Sequence, residues 1–500
     1  MEQVFLLPPS LEDLVPKRHL VRVVNEAIEK MDLSPLMSQY KGGGTSSYHP
    51  KMMLKIVVYG YTQKQYSSRQ IAKCVRENVH FMWLSGQNRP DFRTINRFRS
   101  SRMKGAIEQV FQSVVHMLVE GGYIALENYF LDGTIIEANA NRYTYIWKKS
   151  TSHYKEKLQA QIKDLLGHID RINEAEKDRY GDQDLHEVEG AISSQRVDEL
   201  VRELNETLSE TPHPDSKKMV RKLEKEFLPR LKKYEAQERD LSGKNSCSKT
   251  DKDATFMRMK EDHLGTGQVK PAYNVQTGTE NQFIVGYSIH QKSGDTSHMI
   301  DHLNKLEKQL GQLPKNLVAD AGYGSEENYR FITKKSLGNF VKYSFFHREQ
   351  QALKKDRFRV ERFKYEPTQD QFVCPAQKRL LFQGVHRVKS ENGFLSSRRV
   401  YQCHSCASCD SKQDCLRSES SGRTIQVNLE LEHLKEAARQ NLFSHFGKKL
   451  AVLRSIEVES VFGHIKQNMG FRKFSLRGLQ KVSLEWGLVA IAHNLKKIPT

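Results

Sequence analysis

Apolar positions repeat along this chain with two periods, and the places where the period changes divide it. Between His19 and Met31, Leu20, Val23, Val24, Ala27 and Ile28 recur at helical spacing, and Lys41-Gly-Gly-Gly44 follows as a flexible connector. The helical period resumes at Pro50. Ser67-Ser68 can cap a short helix through Val75. Arg89-Pro-Asp91 can cap another whose apolar side is Phe92, Ile95 and Phe98, leaving Arg93, Asn96, Arg97 and Arg102 outward. Ile107, Val110, Phe111, Val114, Val115 and Leu118 predict an amphipathic helix over 105–120, stopped by Gly121-Gly122.

Strand-like runs begin next. Tyr129-Phe-Leu-Asp-Gly-Thr-Ile-Ile136 reads as a short buried strand presenting Asp132 at an exposed end. For about a hundred residues the pattern is helical and charged: Leu158, Ile162, Leu165, Ile169 and Ile172, then Val197, Leu200, Leu204 and Leu208, then Leu223, Phe227, Leu231 and Tyr234. Such a helical excursion is a structural insertion or a self-association surface, with no chemistry assigned to it. Beyond Asp251 and Asp253, Val269 to Gln276 and Gln282 to His290 predict a hairpin around 277–281. Thr296 to Leu310 is helical, Leu317-Val-Ala-Asp-Ala-Gly-Tyr-Gly324 is a second strand ending in an aspartate, Ser325 caps a helix through Thr333, and a further strand lies near 340–346. The order predicts an α/β fold, a mixed sheet flanked by helices. The boundaries follow: a helical N-terminal domain over 1–122; an α/β domain from 123–150, 246–348 and 430–500; a coiled-coil-like helical insertion at 151–245; and a β-rich, cysteine-bearing insertion at 349–429.

The most informative stretch is Arg454-Ser-Ile-Glu-Val-Glu459-Ser-Val-Phe462-Gly463-His-Ile-Lys466. At helical period Ser455, Ile456, Glu459, Phe462, Gly463 and Lys466 share a face while Glu457 points the other way, which makes Glu459 the first choice of acid and Glu457 the alternate. Gly463 leaves room for a bulky partner beside the carboxylate. Five Lys/Arg, among them Arg472 and Arg477, lie in the sixteen residues from Lys466 through Lys481, both ends counted.

Charge narrows the choice of partner. Lys and Arg number 79 against 60 Asp and Glu, a net +19 with a pI near 9.4, so a polyanion is expected. Between Lys51 and Val110 twelve basic residues face three acidic ones. Two short helices with a basic second one predict a helix-turn-helix whose Arg93 and Arg97 face double-stranded DNA; the bland alternative is a helical bundle with a solvated basic face. No apolar run approaches the roughly 18 residues that span a bilayer. The start Met1-Glu-Gln with Leu6-Leu7-Pro8-Pro9 lacks a signal peptide's charge and apolar core, so the expectation is a cytoplasmic protein without a membrane partner, nucleoid-associated when bound. Five of the seven cysteines cluster late, at Cys374, Cys403, Cys406, Cys409 and Cys415. The C-x2-C-x2-C spacing predicts structural Zn2+, with an iron-sulfur cluster or reduced thiols as alternatives.

Three carboxylates suit one chemistry in particular. Two hard ions such as Mg2+ or Mn2+, roughly 3.5–4 Å apart, can activate a water or 3′-hydroxyl on one side of a phosphodiester and stabilise the leaving oxygen on the other. Asp132, Asp320 and Glu459 would be their ligands and Lys466 a phosphate contact, with Asp251, Asp253 and His298 read as structural.

These motifs resemble the DDE transposases of bacterial insertion sequences with an RNase H-like catalytic domain. Leu131-Asp-Gly-Thr134 is similar to their first-acid motif, Ala319-Asp-Ala-Gly-Tyr323 to the second, and Glu459-Ser-Val-Phe-Gly-His-Ile-Lys466, with Phe471-Arg-Lys-Phe and Leu476-Arg-Gly478 after it, to the third; His493-Asn494-Leu495 resembles the usual ending. The cysteine-bearing stretch resembles an insertion found in one branch. Related groups place an Arg four residues before the last acid and a Tyr seven before it, whereas this chain has Ser455 and Val452, with Arg454 one step off. The resemblance implies recognition of terminal inverted repeats, metal-dependent strand cleavage and strand transfer into target DNA, by a homodimer on DNA. An RNase H-like nuclease or resolvase and a non-catalytic DNA-binding protein are the rival readings.

Overall fold

The computed structural model describes every residue outside 1–9, 39, 41–46, 181–191, 211–212, 260–266, 347, 350–355, 391, 417–421 and 500. The connector expected at 41–44 and the opening 1–9 lie outside the described residues. The chain forms two compact units, one of Met1–Ile136, Asn274–Ser475 and Gln480–Thr500, the other of Glu137–Tyr273 and Leu476–Leu479.

In the first unit the N-terminal helices follow their sequence signals closely. Leu20–Lys30 buries Val21, Val24, Ala27 and Ile28, so the buried stripe includes Val21 while Leu20 and Val23 are only half-buried. Pro50–Thr62 is buried on nearly every side. Ser67 caps Ser68–Glu77 in a reciprocal box with Gln70, and Asp91 caps Phe92–Ser100 through Thr94 N. Between these two runs a third helix, Val79–Ser85, capped by Asn78 and closed by Gly86 at φ 53°. The expectation of two helices joined by a turn is corrected here: Asn78 supplies a cap that the reading passed over, and Phe81 and Leu84 bury the helix.

These helices share their interior with the C-terminal helix Leu479–Lys497. Arg99 Nη1 donates to Tyr61 Oη at 3.1 Å and Tyr61 Oη to buried Glu485 at 3.4 Å; Ser475 N also donates to Glu485, at 2.9 Å. Tyr66 Oη donates to Met469 O at 2.6 Å. A buried carboxylate needs such donors to offset its lost hydration.

The central sheet carries Asp132 and leads into Asp320. The strand Asn128–Glu137 runs parallel to Asn316–Ala319, in register from Asn128↔Asn316 to Leu131↔Ala319, and the latter runs parallel to Gly338–Val341. On its other side lies Val269–Glu280, which forms an antiparallel hairpin with Phe283–His290. The helices Met299–Leu310 and Glu326–Lys334 pack on this sheet. Three expectations shift. Asp132 lies inside a ten-residue strand rather than at its end. The hairpin turn is the two-residue step Asn281-Gln282, both at positive φ, rather than 277–281. The strand expected near 340–346 lies at Gly338–Val341, beginning earlier and overlapping only the first two residues of that stretch. The cysteine-bearing stretch forms a separate antiparallel sheet of Lys364–Glu366, Gln371–Val373, Arg379–Lys389, Leu395–Gln402 and Thr424–Val427.

The second unit is mainly helical. Lys148–Tyr180, Ser194–Glu210 and the run from Pro214 to Leu241 bury Leu158, Ile162, Ile169, Val197, Leu204, Leu223 and Leu231 together. Leu165 is only partly buried, and Leu166 takes the deeper place. Tyr145–Trp147 pairs with Ser246–Ser248.

Candidate active site

Parallel pairing sets the first two acids side by side. Leu131 is in register with Ala319, so the next residues, Asp132 within its strand and Asp320 just past the neighbouring one, stand at the same level, one strand spacing of about 4.8 Å apart. Asp320 follows its strand directly and opens the 3-10 turn Ala321–Tyr323. The third acid comes from a helix of mixed pitch: His445–Arg454 is α-helical, Ser455–Glu459 is a π turn, Ser460–Gly463 is α-helical, and His464–Asn468 is a second π turn.

All three carboxylates meet one guanidinium. Arg454 Nη1 lies 3.5 Å from Asp132 Oδ2, and its Nη2 lies 3.9 Å from Asp320 Oδ1 and 3.4 Å from Glu459 Oε1. The Arg454 side chain is 13% exposed, against 48% for Asp320 and 56% for Glu459, so the cation is set deeper than two of its partners. Lys342, one residue past the Gly338–Val341 strand, is a second cation at the site. Burial chiefly, then Arg454, pushes its ammonium below the usual lysine range, while Asp320 and Glu459 pull the other way. Nothing in the sequence pattern marked Lys342.

A polar floor lies beneath Asp132. Asp295 Oδ1 accepts from Asn274 Nδ2 and Gln276 Nε2, each at 2.8 Å, and the Tyr323 hydroxyl donates to Gln276 Oε1. Burial, then Asp295 and Asp132, raise the Tyr323 hydroxyl far above its ordinary value, so it stays a donor. Gly133 runs across this network: a Cβ there would lie 2.4 Å from both Asp295 Oδ1 and Gln276 Nε2. That contact is the physical reason for glycine after Asp132.

The other candidates are distributed differently. Glu457 is buried and accepts from Gln282 N at 2.5 Å; burial raises its carboxyl. Lys466 is buried in the second π turn. Arg472 is exposed, its Nε donating to Lys466 O at 3.2 Å, and Arg477 Nε donates to Asn139 O at 2.7 Å. Asp251 accepts from Gly478 N and the Tyr273 hydroxyl, and Asp253 from Leu479 N. His298 is buried and stacked on His290. Arg93 and Arg97 are exposed and line a groove with Ser67, Arg69, Phe92 and Asn96, where the Arg69 guanidinium covers the Phe92 ring at 4.8 Å.

The five late cysteines, all free, line one cavity of about 10 Å³ beside Phe358, Leu380 and Arg423. Among the described residues, however, no group of three His, Cys, Asp or Glu side chains is arranged to hold a metal ion, neither these thiols nor Asp132, Asp320 and Glu459 as they stand around Arg454. The zinc expectation therefore has no support: the Cys374, Cys403 and Cys406 thiols pack with Phe363, Phe372 and Tyr401 in an apolar cluster. At the acids the cation present is Arg454. Their donor chemistry nonetheless fits hard divalent ions, since every ligand atom is a carboxylate oxygen and the three already surround one positive charge.

Two family models match the chain. Residues 373–499 match "Transposase DDE domain" and residues 9–101 match "Transposase domain (DUF772)". Together they support a DDE-type transposase of an insertion sequence. Glu459 falls inside the first match; Asp132 and Asp320 fall between the two, so their assignment rests on the sheet register and on Arg454. No curated protein and no solved structure matches the chain. Transposases of the DDE kind generally use divalent ions such as Mg2+. No helix among the described residues is long and apolar enough to cross a membrane.

Proposed function

We propose that this protein cuts and joins DNA at the ends of its own insertion sequence, with Asp132, Asp320 and Glu459 as the catalytic carboxylates. The convergence of all three on Arg454 carries the reading: three acids far apart in the chain, on two strands and a helix, share one cation. The sheet around Asp132 and Asp320, with the Glu459 helix, is read as an RNase H-like core, interrupted at 151–245 and 349–429 and preceded by a DNA-binding domain over 1–122.

The acids would hold two Mg2+ or Mn2+ ions, which supply a nucleophilic oxygen and stabilise a leaving one. The chain's own residues do the rest. Parallel register holds Asp132 beside Asp320, and the Asp295, Gln276 and Tyr323 network fixes the strand below them. Lys342 and Arg454 present positive charge to the phosphodiester. Arg93 and Arg97, in the open groove, bind the phosphate backbone of terminal inverted repeats, with exposed Arg472 and Arg477 as further candidate contacts, in a dimer that pairs two ends; Lys466, being buried, is withdrawn as a phosphate contact.

Asp320→Asn tests the site. It is expected to abolish Mg2+-dependent cleavage of end DNA while binding survives; cleavage that persists removes Asp320 from the site. Joining of a pre-cut end to a target duplex separates transposition from plain nuclease action.

A further inference from the structure

The guanidinium of Arg454 raises a question that the acids alone do not. Its Nη1 is fully buried and makes no hydrogen bond, although Asp132 Oδ2 lies 3.5 Å away. Its Nη2 lies between Asp320 and Glu459 at 3.9 and 3.4 Å. This is a charge held by three carboxylates at once, at separations longer than the roughly 2.7–2.9 Å of a good charged hydrogen bond. An arginine that served only to brace Glu459 would close a bidentate pair with it. Arg454 instead sits where the attraction of all three is shared.

We infer that Arg454 is the built-in counter-ion of this site: its guanidinium holds the three carboxylates together when no divalent ion is bound and leaves them when one binds, so that ion loading is coupled to an incoming phosphate. The inference rests on the proposed assignment of the three acids. Three carboxylates at this spacing repel one another, and without a cation the two exposed ones, Asp320 and Glu459, would swing into water. Arg454 prevents that. The same charge opposes a divalent ion entering among the acids, because like charges a few ångströms apart in a partly buried site are screened little. Lys342 adds to the opposition. A DNA phosphate offers the guanidinium a bidentate partner of its own, and drawing Arg454 onto it leaves the carboxylates to the ions. Arg454 is thus a positioning residue whose place depends on the ligand state.

Mn2+ affinity, read by the loss of the free-ion electron paramagnetic resonance signal, tests this on the full chain. Without DNA, Arg454→Gln is expected to bind Mn2+ at least tenfold more tightly than the native protein, with Arg454→Lys in between. The metal-free Gln variant should melt at a lower temperature than the native protein and recover more on adding Mn2+. A 20-base-pair duplex should raise the native protein's Mn2+ affinity at least fivefold and leave the Gln variant's within twofold. Equal or weaker Mn2+ binding by a folded Arg454→Gln overturns the inference, as does a native affinity indifferent to the duplex. Asp320→Asn serves as the control: Mn2+ binding lost there but unchanged in Arg454→Gln sinks the counter-ion alone. Mn2+ binding unchanged in Asp320→Asn sinks the assignment of the acids, and the inference with it.

Discussion

Arg454 and Glu459 stand five residues apart and face each other across one turn of helix, Nη2 to Oε1 at 3.4 Å. In an α-helix residues five apart point in different directions, and it is residues four apart that stack. Here Ser455–Glu459 is a π turn, whose i to i+5 pitch absorbs one extra residue. Arg454 therefore faces Glu459 although five residues separate the two. The bulge sits where two α-helical segments must each keep their buried face, Leu450 before it and Val461 and Phe462 after it.

That geometry predicts an asymmetric response to single deletions. Ile456 is 48% exposed within the π turn, so removing it should convert the turn to α-helix, keep Arg454 over Glu459, and leave melting temperature and end cleavage near the native values. Removing Val461, buried within the α-helical part, rotates everything beyond it by about 100° and should abolish both. Two deletions that behave alike would show that the π turn is not a spacer.

Gly133 predicts a tightly confined steric effect. Adding a methyl group drives it into Asp295 and Gln276, and overpacking of this kind costs about 1–3 kcal/mol. Gly133→Ala should therefore lower stability by that order in denaturant titration, and reduce Mg2+-dependent cleavage more than end binding, because the displaced strand carries Asp132. A variant with native stability and activity would remove the floor network from the site.

Gly463 should behave in the opposite way. A Cβ there meets nothing within 4 Å, and a mid-helix glycine costs about 0.5–1 kcal/mol relative to alanine. Gly463→Ala is expected to raise stability by that order. Gly463→Leu, filling the space one turn beyond Glu459, should instead weaken cleavage of duplex DNA without lowering the melting temperature. Full cleavage by the leucine variant would show that no substrate passes there.

The strands and the caps could be read from the sequence because each has a local cause. Ser67, Asp91 and Ser325 cap where their side chains can reach the third amide, and Asp320 ends a short apolar run. Pitch and partnership could not be read. A periodicity argument assumes 3.6 residues per turn, so both π turns were invisible, and with them the place of Arg454. Asp295, Gln276 and Lys342 were missed for another reason: their roles come from neighbours distant in sequence, and a lone polar residue near a strand end carries no pattern. The cysteine spacing suggested metal, but spacing fixes neither where the sulfurs point nor whether aromatic rings fill the space between them.

Acid should destabilise the protein through histidines under the sheet. The His302 ring lies between the Tyr129 hydroxyl at 2.6 Å and the Ser288 hydroxyl at 2.8 Å, and Ser288 also meets His290 at 2.7 Å. Burial holds both His290 and His302 down to about 3, helped by Lys305 and, for His290, by His298. An unfolded histidine titrates near 6.5, so the unfolded chain takes up protons that the fold excludes. Stability from these two groups is complete above about pH 7 and is lost as pH falls from 6.5 towards 3, at about 1.4 kcal/mol per pH unit for each proton. Replacing His302 with Gln should flatten the fall in melting temperature between pH 6.5 and 5; an unchanged slope would assign the acid sensitivity elsewhere.

The groove of Arg93 and Arg97 makes the last prediction, and it depends on counterions rather than on shape. Both side chains are exposed and accept no carboxylate among the described ion pairs, while Arg99 of the same helix is buried against Tyr61. Arginines of the first kind are available to phosphate; one of the second kind holds the helix in place. If each contacts one phosphate of duplex DNA, the slope of log affinity against log salt should fall by about 0.9 for each arginine removed. The double replacement by Gln should thus weaken end binding and flatten its salt dependence by nearly two, with the melting temperature unchanged. Arg99→Gln should do the reverse, lowering the melting temperature with the salt slope intact. Equal salt slopes in the native protein and the double variant would place the DNA on another face.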